Sequence, residues 1–497
     1  MPSRGAEPNL SDEPDARLLR LRSARGRITL ATVTLGSGVA MLDGTVVNIA
    51  LRQIGIDLGA SLAELQWISN GYLLSLASLI LVGCALGDRL GRRRMYLLGV
   101  AGFALGSGLC AFAQSPVQLV AFRVLQGVAA ALLAPGGLAL IQASFCKEDR
   151  PAAIGTWAGV SGIATAIGPF LGGFLVENAG WRWIFAINLP LCALVILMGL
   201  YVPESKDDSP VISNANAHTG HFDVPGAVTG IVALGATTYL LTSWRSLGAG
   251  LTLAGTLVAC AAWVAFVVLE RRPGAMAPVS MFESRVFRAA NLMTFLVYGA
   301  LGSVLFFLVL QLQVTVGYDA IAAGMSTLPI SVVMLLLSSR FSVLAARSGP
   351  RVPMTLGPLV CALGAFLLSG VDKGSSYWTG VFPGITLFAF GLAGLVSPLT
   401  VAVLAAAPDR HAGVASGINN AVARAGTLLA VAALPALVGL AGADYRDPAT
   451  LTSGYHSALL LASGMLALGG VISWFGLHEV GRLTETRRAP AKERERT

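Results

Sequence analysis

Charged residues are scarce in this sequence of 497 residues: 12 % are Asp, Glu, Lys or Arg, whereas 55 % are hydrophobic. A soluble globular chain carries about 25 % charged residues, so half of the usual solvating surface is missing. This shortage argues against a soluble enzyme and predicts a chain whose outer surface faces lipid.

Clustered residues for metal or nucleotide binding are also missing. The six cysteines are scattered singly, without a CxxC pair or a Cys/His group, so the sequence supports neither a disulfide framework nor a metal site. His218 and His221 lie in a polar stretch that we interpret as a solvated linker. No GxxxxGKS/T loop is present, so ATP is not the expected energy source. We expect no cofactor and no metal.

Long apolar runs dominate the sequence instead. A bilayer core of about 30 Å requires roughly 20 apolar residues in a helix. The first run is too long for a signal peptide and is expected to be retained. Fourteen runs qualify, at 28–50, 66–86, 95–113, 117–143, 153–176, 183–202, 225–243, 251–269, 291–313, 321–343, 352–370, 379–404, 413–438 and 455–477. The sequence therefore predicts an all-α integral membrane protein, and the short pair 225–243 and 251–269 is where a miscount would fall.

The basic residues test this count. If both termini lie on one side, 27 of the 34 Lys and Arg residues fall on that side, counting Arg340 at that end of the span 321–343. The opposite side holds Arg52, Arg182, Arg245, Lys373 and Arg446. By the positive-inside rule this distribution predicts cytoplasmic termini in a multi-pass protein of the bacterial inner membrane. The net charge of +8 is then explained by contacts with anionic lipid, and no nucleic-acid partner is expected.

Two loops repeat along the chain. Segments 86–94 and 344–351 share Leu, Arg, Gly and a distal Arg in register. Matching loops indicate a parallel internal repeat, in which two six-helix bundles rock about a site at the midplane. The predicted division is a tail 1–27, a bundle 28–202, a linker 203–224, two additional helices 225–270, a linker 271–290, a bundle 291–477 and a tail 478–497.

Several motifs together resemble the major facilitator superfamily, and specifically its fourteen-helix drug:proton antiporters of the EmrB/QacA type. The loop Gly87–Arg93 is similar to motif A, Arg123–Gly127 to motif B, and 162–190 to antiporter motif C, while 42–51 is similar to the span-1 motif of the subfamily. The sequence departs from the pattern at Cys84, where motif A commonly has Gly, and the C-terminal spans contain no acid, which weakens any prediction of divalent-cation transport. The resemblance implies alternating access, two six-helix bundles with an extra pair between them, and a proton gradient as energy source.

Asp43 is the one acidic residue well inside a predicted span. Desolvation there would raise the pKa of its carboxyl group and let it load and release a proton. We predict that Asp43 couples protons to transport; the alternative is that it closes an outer gate by hydrogen bonding. Arg123 is assigned to proton coupling because motif B relatives use this residue for it, and the alternative role is donation to backbone carbonyls.

The motif A loop is predicted to act as a conformational latch at the cytoplasmic side. The carboxylate of Asp88 would accept bonds from Arg and from a helix N-terminus of the other half in one conformation only. Its members are Asp88, Arg89, Gly91, Arg92 and Arg93. The alternative for the basic residues is a plain orientation anchor.

Small residues in the fifth span predict a hinge between the halves. Glycines let helices approach closely, and a proline removes one helix hydrogen bond. The predicted hinge residues are Gly162, Gly168, Pro169, Gly172 and Gly173, and ordinary close packing would use the same residues.

Aromatic and amide side chains within the spans are candidates for lining a substrate cavity. They are Asn48, Asn70, Tyr72, Gln126, Trp157, Tyr298, Phe306, Gln311, Gln313 and Asn419. Arg424 is added because a second intramembrane Arg has no obvious acidic partner; it would counter an anionic substrate group or bond an unwound helix end.

The predicted function is proton-driven export of small lipophilic compounds, cations among them, by a monomer. Drugs, dyes and endogenous antibiotics belong to this class. The alternatives are a narrow exporter or proton symporter of one metabolite or lipid-like compound, and a membrane sensor that retains the fold.

Overall fold

The computed structural model describes residues 18–146, 148–204, 223–244, 247–272, 279–405 and 412–477. Within these ranges the regular secondary structure is helical, and an isolated bridge joins Leu19 and Phe145. The predicted tails and most of the linker 203–224, with His218 and His221, lie outside them. The boundaries of the predicted domains therefore stay predictions.

Fourteen apolar helical elements follow one another in the described ranges. They are α1 (Ala24–Asp57), α2 (Leu62–Leu90), α3 (Arg92–Ala111), α4 (Pro116–Ser144), α5 (Arg150–Asn178), α6 (Trp183–Ala186 and Asn188–Gly199), α7 (Val224–Ser243), α8 (Ala249–Leu269), α9 (Arg285–Gln311, extended by a π-helical turn Leu312–Val316), α10 (Ala320–Ser326 and Leu328–Ser348), α11 (Arg351–Leu368), α12 (Phe382–Ala405, preceded by a π-helical turn Tyr377–Val381), α13 (Ala412–Leu437) and α14 (Pro448–Gly476). Thirteen helices of the described chain are long and apolar enough to cross a membrane, and the shorter apolar α6 brings the number to fourteen. The predicted all-α membrane fold is confirmed, and the pair at 225–269 is two helices.

Polar residues at the helix starts explain where several of these helices begin. The Ser61 hydroxyl oxygen accepts a hydrogen bond from the backbone N–H of Glu64, and the Glu64 carboxylate accepts one from the backbone N–H of Ser61. Ser115, Ser284 and Asp447 cap α4, α9 and α14 through their side chains. Such caps satisfy backbone donors that the first turn of a helix leaves unpaired.

Helices α1–α6 pack together as one half, and α9–α14 pack together as the other. In the N-terminal half, α4 packs against α2 and α3, while α1 packs against α5 and α6. In the C-terminal half, α14 packs against α9 and α11, and α12 packs against α10 and α11. Helix α7 packs against both α2 and α13, so it covers the seam between the halves, and α8 packs on α7.

The two halves are joined at the face opposite the termini, which we call the distal face. Near it, Gln66 Nε2 donates to the backbone oxygen of Val431 (2.6 Å), and Gln313 Nε2 donates to that of Ile49 (3.0 Å). The loop after α13 adds hydrogen bonds from Tyr445 to the oxygen of Ala60 and from Arg446 to those of Gly55 and Ala60. Chain segments far apart in the sequence thus hold the distal face closed.

Candidate functional site

Asp43 lies in the middle of α1 and is fully buried. An isolated charged Asp at the centre of a membrane helix costs about 2.5–3.5 kcal/mol on insertion scales. A carboxylate at this depth therefore requires partners that offset its desolvation.

Arg123 of α4 supplies the opposite charge. Its Nη1 donates to Asp43 Oδ2 at 2.6 Å, and the guanidinium is 2 % exposed. The same nitrogen donates to Gln126 Oε1 (2.6 Å), and Nε donates to the backbone oxygen of Ile68 (3.1 Å). The structure therefore brings together the two residues that the sequence analysis assigned to proton coupling. It also realises the alternative role of Arg123, donation to a backbone carbonyl, at the same time.

Neutral polar side chains complete the hydrogen bonding of the carboxylate. Gln126 Nε2 donates to Asp43 Oδ1 (3.0 Å), as does Asn188 Nδ2 (3.3 Å). Both amides also donate to the hydroxyl oxygen of Ser107, at 2.7 and 3.0 Å. We call Asp43, Ser107, Arg123, Gln126 and Asn188 the buried polar cluster. It ties α1, α3, α4 and α6 together, so a change at one member is felt by four helices.

Close helix packing makes this cluster possible. A Cβ atom at Gly106 of α3 would lie 2.9 Å from the Cα of Gln126, so only glycine allows α3 to approach α4 there. Ser107 follows directly and is placed within reach of Gln126. The sequence analysis did not assign Ser107 or Asn188 to the site. The signal of Ser107 was a neutral polar residue inside an apolar run, and Asn188 also lies within the motif C-like segment 162–190.

Tyr72 of α2 connects the cluster to the region between the halves. The Cζ of Arg123 lies 4.3 Å from the centroid of the Tyr72 ring, a cation–π distance. Phe185 lies against the same guanidinium at 5.8 Å. Tyr72 is 4 % exposed, so its ring forms one wall of the pocket around Arg123.

Four of the predicted cavity residues are buried in contacts between helices instead of lining an open space. Gln126 belongs to the buried polar cluster, and Gln311 donates to the backbone oxygen of Val371 and to Thr452. Gln313 joins the two halves at the distal face, and Phe306 is 2 % exposed against Phe307. In this conformation these four residues make helix–helix contacts, because a polar or aromatic residue in a span also serves helix–helix packing. That they line a substrate cavity stays a prediction.

The other predicted cavity residues divide between the two halves. Trp157 donates its indole N–H to Ser37 (2.9 Å), and half-buried Asn48 lies on α1. Asn70 is fully buried, and neither polar atom of its amide has a hydrogen-bond partner among the described residues. In the C-terminal half, Asn419 donates to Asn291 (3.2 Å) and Thr294 (2.8 Å), and Tyr298 is half-buried.

Arg424 lies in the middle of α13 and is half-buried. It interacts electrostatically with Tyr72 of the N-terminal half and with Tyr298 of its own half. No acidic side chain in the described part of the chain pairs with it. Arg424 therefore differs from Arg123, whose charge is neutralised by Asp43.

The predicted latch is only partly visible. Gly91 separates α2 from α3 with φ of 106°, and a side chain there would also approach Glu204 within 2.6 Å. Arg93 donates to the backbone oxygens of Gly199 and Leu200, both at 2.9 Å, and so caps the end of α6 in its own half. Arg89 is exposed, Arg92 is partly buried, and the side chain of Asp88 lies outside the described part. The latch stays a prediction.

The predicted hinge residues separate into two groups along α5. A Cβ at Gly168 or Gly172 would press on Thr45 or Val46 of α1, and one at Gly173 would collide with the backbone of Ala320 in the other half. The backbone of Pro169 similarly lies against Gly324 of α10. At Gly162 a Cβ would meet nothing within 4 Å. The distal part of α5 is thus packed against both halves, while its glycines toward the termini face open space.

Fourteen apolar helical elements arranged in two halves, with a buried ion pair in one of them, define the described part of the chain as a polytopic membrane protein. The family model "Major Facilitator Superfamily" matches residues 33–431, and the chain belongs to this family.

Named relatives extend this assignment. The chain is 34 % identical over 421 residues to the tetracenomycin C resistance and export protein of Streptomyces glaucescens, covering 82 % of this chain and 75 % of the relative. It is 32 % identical over 466 residues to the methylenomycin A resistance protein of Bacillus subtilis, covering 92 % and 95 %. Both agree with the predicted drug:proton antiporter subfamily.

Solved structures support the fold. The POT family transporter PepTSo superposes with a TM-score of 0.65 at 14 % identity, covering 91 % of this chain and 98 % of that chain. The inward open conformation of the xylose transporter XylE from E. coli superposes with a TM-score of 0.58, also at 14 % identity, covering 90 % and 95 %.

Proposed function

We propose that this protein is a proton-driven exporter of small lipophilic compounds, which exchanges inward-moving protons for outward-moving substrate by alternating access. The observation that carries the proposal is the buried polar cluster, in which one carboxylate and one guanidinium neutralise each other at the centre of the N-terminal half. No cofactor is needed for such a cycle, because the proton gradient supplies the energy.

The chemistry of the cluster suits a proton switch. In the structure Asp43 accepts hydrogen bonds from Arg123, Gln126 and Asn188. A proton on Asp43 would remove the charge that neutralises Arg123 and weaken three hydrogen bonds at once. Because these bonds connect α1 to α4 and α6, protonation would change how α1 packs within its half.

The side from which substrate would enter is inferred from the distribution of basic residues and from the face at which the halves are joined. The positive-inside distribution favours cytoplasmic termini in the bacterial inner membrane, and the distal face would then be the outer one. The halves are joined at that face, whereas the glycines of α5 nearer the termini face open space. A substrate would enter this conformation from the cytoplasm, as an exporter requires.

Relatives named for resistance to tetracenomycin C, methylenomycin A and puromycin support export as the task and small antibiotics as the substrate class. Each of these names refers to one compound. This favours, as the second candidate, an exporter of narrow specificity over a broad multidrug pump. A multidrug resistance protein of Mycobacterium tuberculosis at 34 % identity supports an exporter of broad specificity instead.

Transport of two dyes tests the proposal. Rhodamine 123 and fluorescein methyl ester have the same xanthene skeleton but carry opposite charges, so the pair covers cationic and anionic substrates. Purified protein would be reconstituted in liposomes that contain a pH-sensitive dye. We expect transport of at least one compound, driven by an imposed pH gradient and abolished by an uncoupler.

The Asp43→Asn variant should lose proton-dependent transport while it still binds the dye. Glu283→Gln is the matched control, since it also converts a carboxylate to an amide but alters an exposed residue. Asp43→Glu, which keeps a titratable group, guards against loss through misfolding alone. Wild-type proton-dependent transport by Asp43→Asn would refute the assigned role. Gradient-independent transport, or none of either dye or of an antibiotic panel, would refute the proposed function.

A further inference from the structure

Among the residues that the structure describes, no acidic side chain neutralises Arg424, which lies at the level of the buried polar cluster. Its helix α13 is packed tightly on α9, because a Cβ at Gly426 would collide with the backbone of Phe295. Thr427 adds a hydrogen bond to the backbone oxygen of Tyr298 (3.0 Å). The guanidinium is therefore carried by a fixed helix surface, and what it lacks is a negative charge.

The packing of α13 against α2 defines what lies opposite Arg424. The two helices run antiparallel: Gln66 contacts Val431 toward the distal face, and Leu81 lies against Gly417 toward the termini. Arg424 is seven residues from each end of this contact on α13, and Tyr72 is close to the middle of the matching stretch on α2. The electrostatic interaction between Arg424 and Tyr72 agrees with this register.

By the packing of α13 against α2 and α9, one tyrosine from each half lies at the level of Arg424: Tyr72 and Tyr298. Tyr72 also stacks on Arg123, so the succession Asp43, Arg123, Tyr72, Arg424 and Tyr298 crosses from one half to the other. Arg123 is already neutralised within this succession. The net charge offered to a substrate between the halves is that of Arg424.

We propose that Arg424 is the binding group for an aromatic organic anion, in which a carboxylate or an acidic phenol is attached to a ring system. A guanidinium presents a planar fork of donors that matches a carboxylate or a pair of phenolic oxygens. The rings of Tyr72 and Tyr298 would pack against the apolar skeleton of such a compound. A lipophilic cation, by contrast, would meet a like charge in a region of low dielectric.

This assignment rests on the proposed export function and narrows its substrate class. The two charges have separate partners, since Asp43 binds Arg123 and the substrate would bind Arg424. The substrate then does not displace Asp43 from Arg123. Exchange has to be coupled through the alternation of the two halves rather than by competition for one group.

Binding of the two xanthene dyes to purified protein, followed by fluorescence polarisation without any gradient, tests the assignment. We expect wild type to bind fluorescein methyl ester more tightly than rhodamine 123. Arg424→Gln should weaken binding of the anion by roughly tenfold to a hundredfold and leave the cation unchanged or improved. Arg424→Lys should recover part of the affinity. Arg288→Gln is the matched control, because it removes an exposed Arg from the neighbouring helix α9.

Three outcomes would overturn the assignment. They are an equal loss of affinity for both dyes in Arg424→Gln, a preference of the wild type for the cation, and no binding of the anion at millimolar concentration. Since this assay requires no proton gradient, its failure is separate from failure of proton-driven export. Proton-coupled transport of rhodamine 123 alone would retain the proposed function and reject the anion site.

Discussion

Helices α5 and α13 occupy equivalent places in the two halves of the repeat, yet they differ in charge. Each packs against the first helix of its half: Trp157 of α5 donates to Ser37 of α1, and Asn419 of α13 donates to Asn291 and Thr294 of α9. The middle of α5 is uncharged and rich in glycine, whereas the middle of α13 carries Arg424. The same architecture thus supports two different tasks.

The charges of the N-terminal half are neutralised within that half. Asp43 and Arg123 are buried together, and every bond of their side chains ends on a residue of α1–α6. Arg424 of the C-terminal half has no such partner among the described residues and is half-exposed. The neutralised pair of Asp43 and Arg123 is suited to binding a proton. The unneutralised charge of Arg424 is suited to binding a negatively charged ligand.

The largest expected effect comes from removing one partner of the Asp43–Arg123 ion pair. Arg123→Gln leaves Asp43 buried without its cation, and breaking a buried ion pair on one side costs about 3–5 kcal/mol of stability. We expect a large drop in the thermal unfolding midpoint of the purified protein. The double variant Asp43→Asn with Arg123→Gln should recover most of the loss. Arg424→Gln should lower the thermal unfolding midpoint only slightly. A decrease as large as that of Arg123→Gln would contradict the difference between the two halves.

The second largest effect is expected when a new carboxylate neutralises the charge of Arg424. Asn420 is exposed, lies four residues before Arg424 on α13, and bonds only the backbone oxygen of Ser416. Asn420→Asp should form an ion pair with Arg424 along the helix surface and weaken binding of fluorescein methyl ester by up to about tenfold. Polarisation titrations measure this. Asn178→Asp is the control, because Asn178 is also exposed and bonds the backbone oxygen four residues earlier. Unchanged affinity in Asn420→Asp would contradict the role of Arg424.

The smallest effect concerns an acid of the N-terminal half that lies outside the membrane. Asp149 accepts a hydrogen bond from the backbone N–H of Leu21 (2.8 Å), which holds the pKa of its carboxyl below the usual range. A lowered pKa in the folded state means that the bond contributes fully above the ordinary value of about 3.9. Its contribution is lost as the pH falls through the folded pKa.

Segment 18–23 should therefore stay docked at neutral pH and be released under acid conditions. Limited proteolysis measures this, with trypsin at Arg20 or Arg22 at pH 7 and pepsin at Leu19 in acid. Asp149→Asn should increase tryptic cleavage a few-fold at neutral pH. Asp447→Asn is the control, since the pKa of Asp447 is lowered by Thr450 in a different loop. Equal cleavage in wild type and Asp149→Asn would show that the bond does not hold the segment.

The sequence predicts the helices and the charged residues of the site well. Apolar runs of span length leave few alternatives for a backbone that must bond internally in lipid. A buried Asp and a buried Arg are costly enough there to indicate a role from composition alone. Even so, α1 begins at Ala24 instead of 28, because the side chain of Ser23 caps it, and it extends to Asp57 beyond the apolar run.

Neutral polar residues mark the limit of the prediction. Asn188 donates to Asp43 and also to Ser107, whereas Gln311 and Gln313 hold helices together elsewhere. These residues cost little in a span, so the sequence carries no sign of which helix face they occupy. Which of them meet depends on glycines such as Gly106 that let two helices approach, and this is a property of the packed pair.

The position of helix α7 also affects the side from which a lipophilic compound would reach the region between the halves. It lies along the crevice between α2 and α13 and seals that crevice against the bilayer. On the other flank, α5 and α10 touch near the distal face, and Gly155, Gly159 and Gly162 face open space beyond that contact. In the proposed export cycle, a compound dissolved in the leaflet beside the termini would then enter past α5 and α10 and not past α7. The additional hairpin would make lateral entry one-sided.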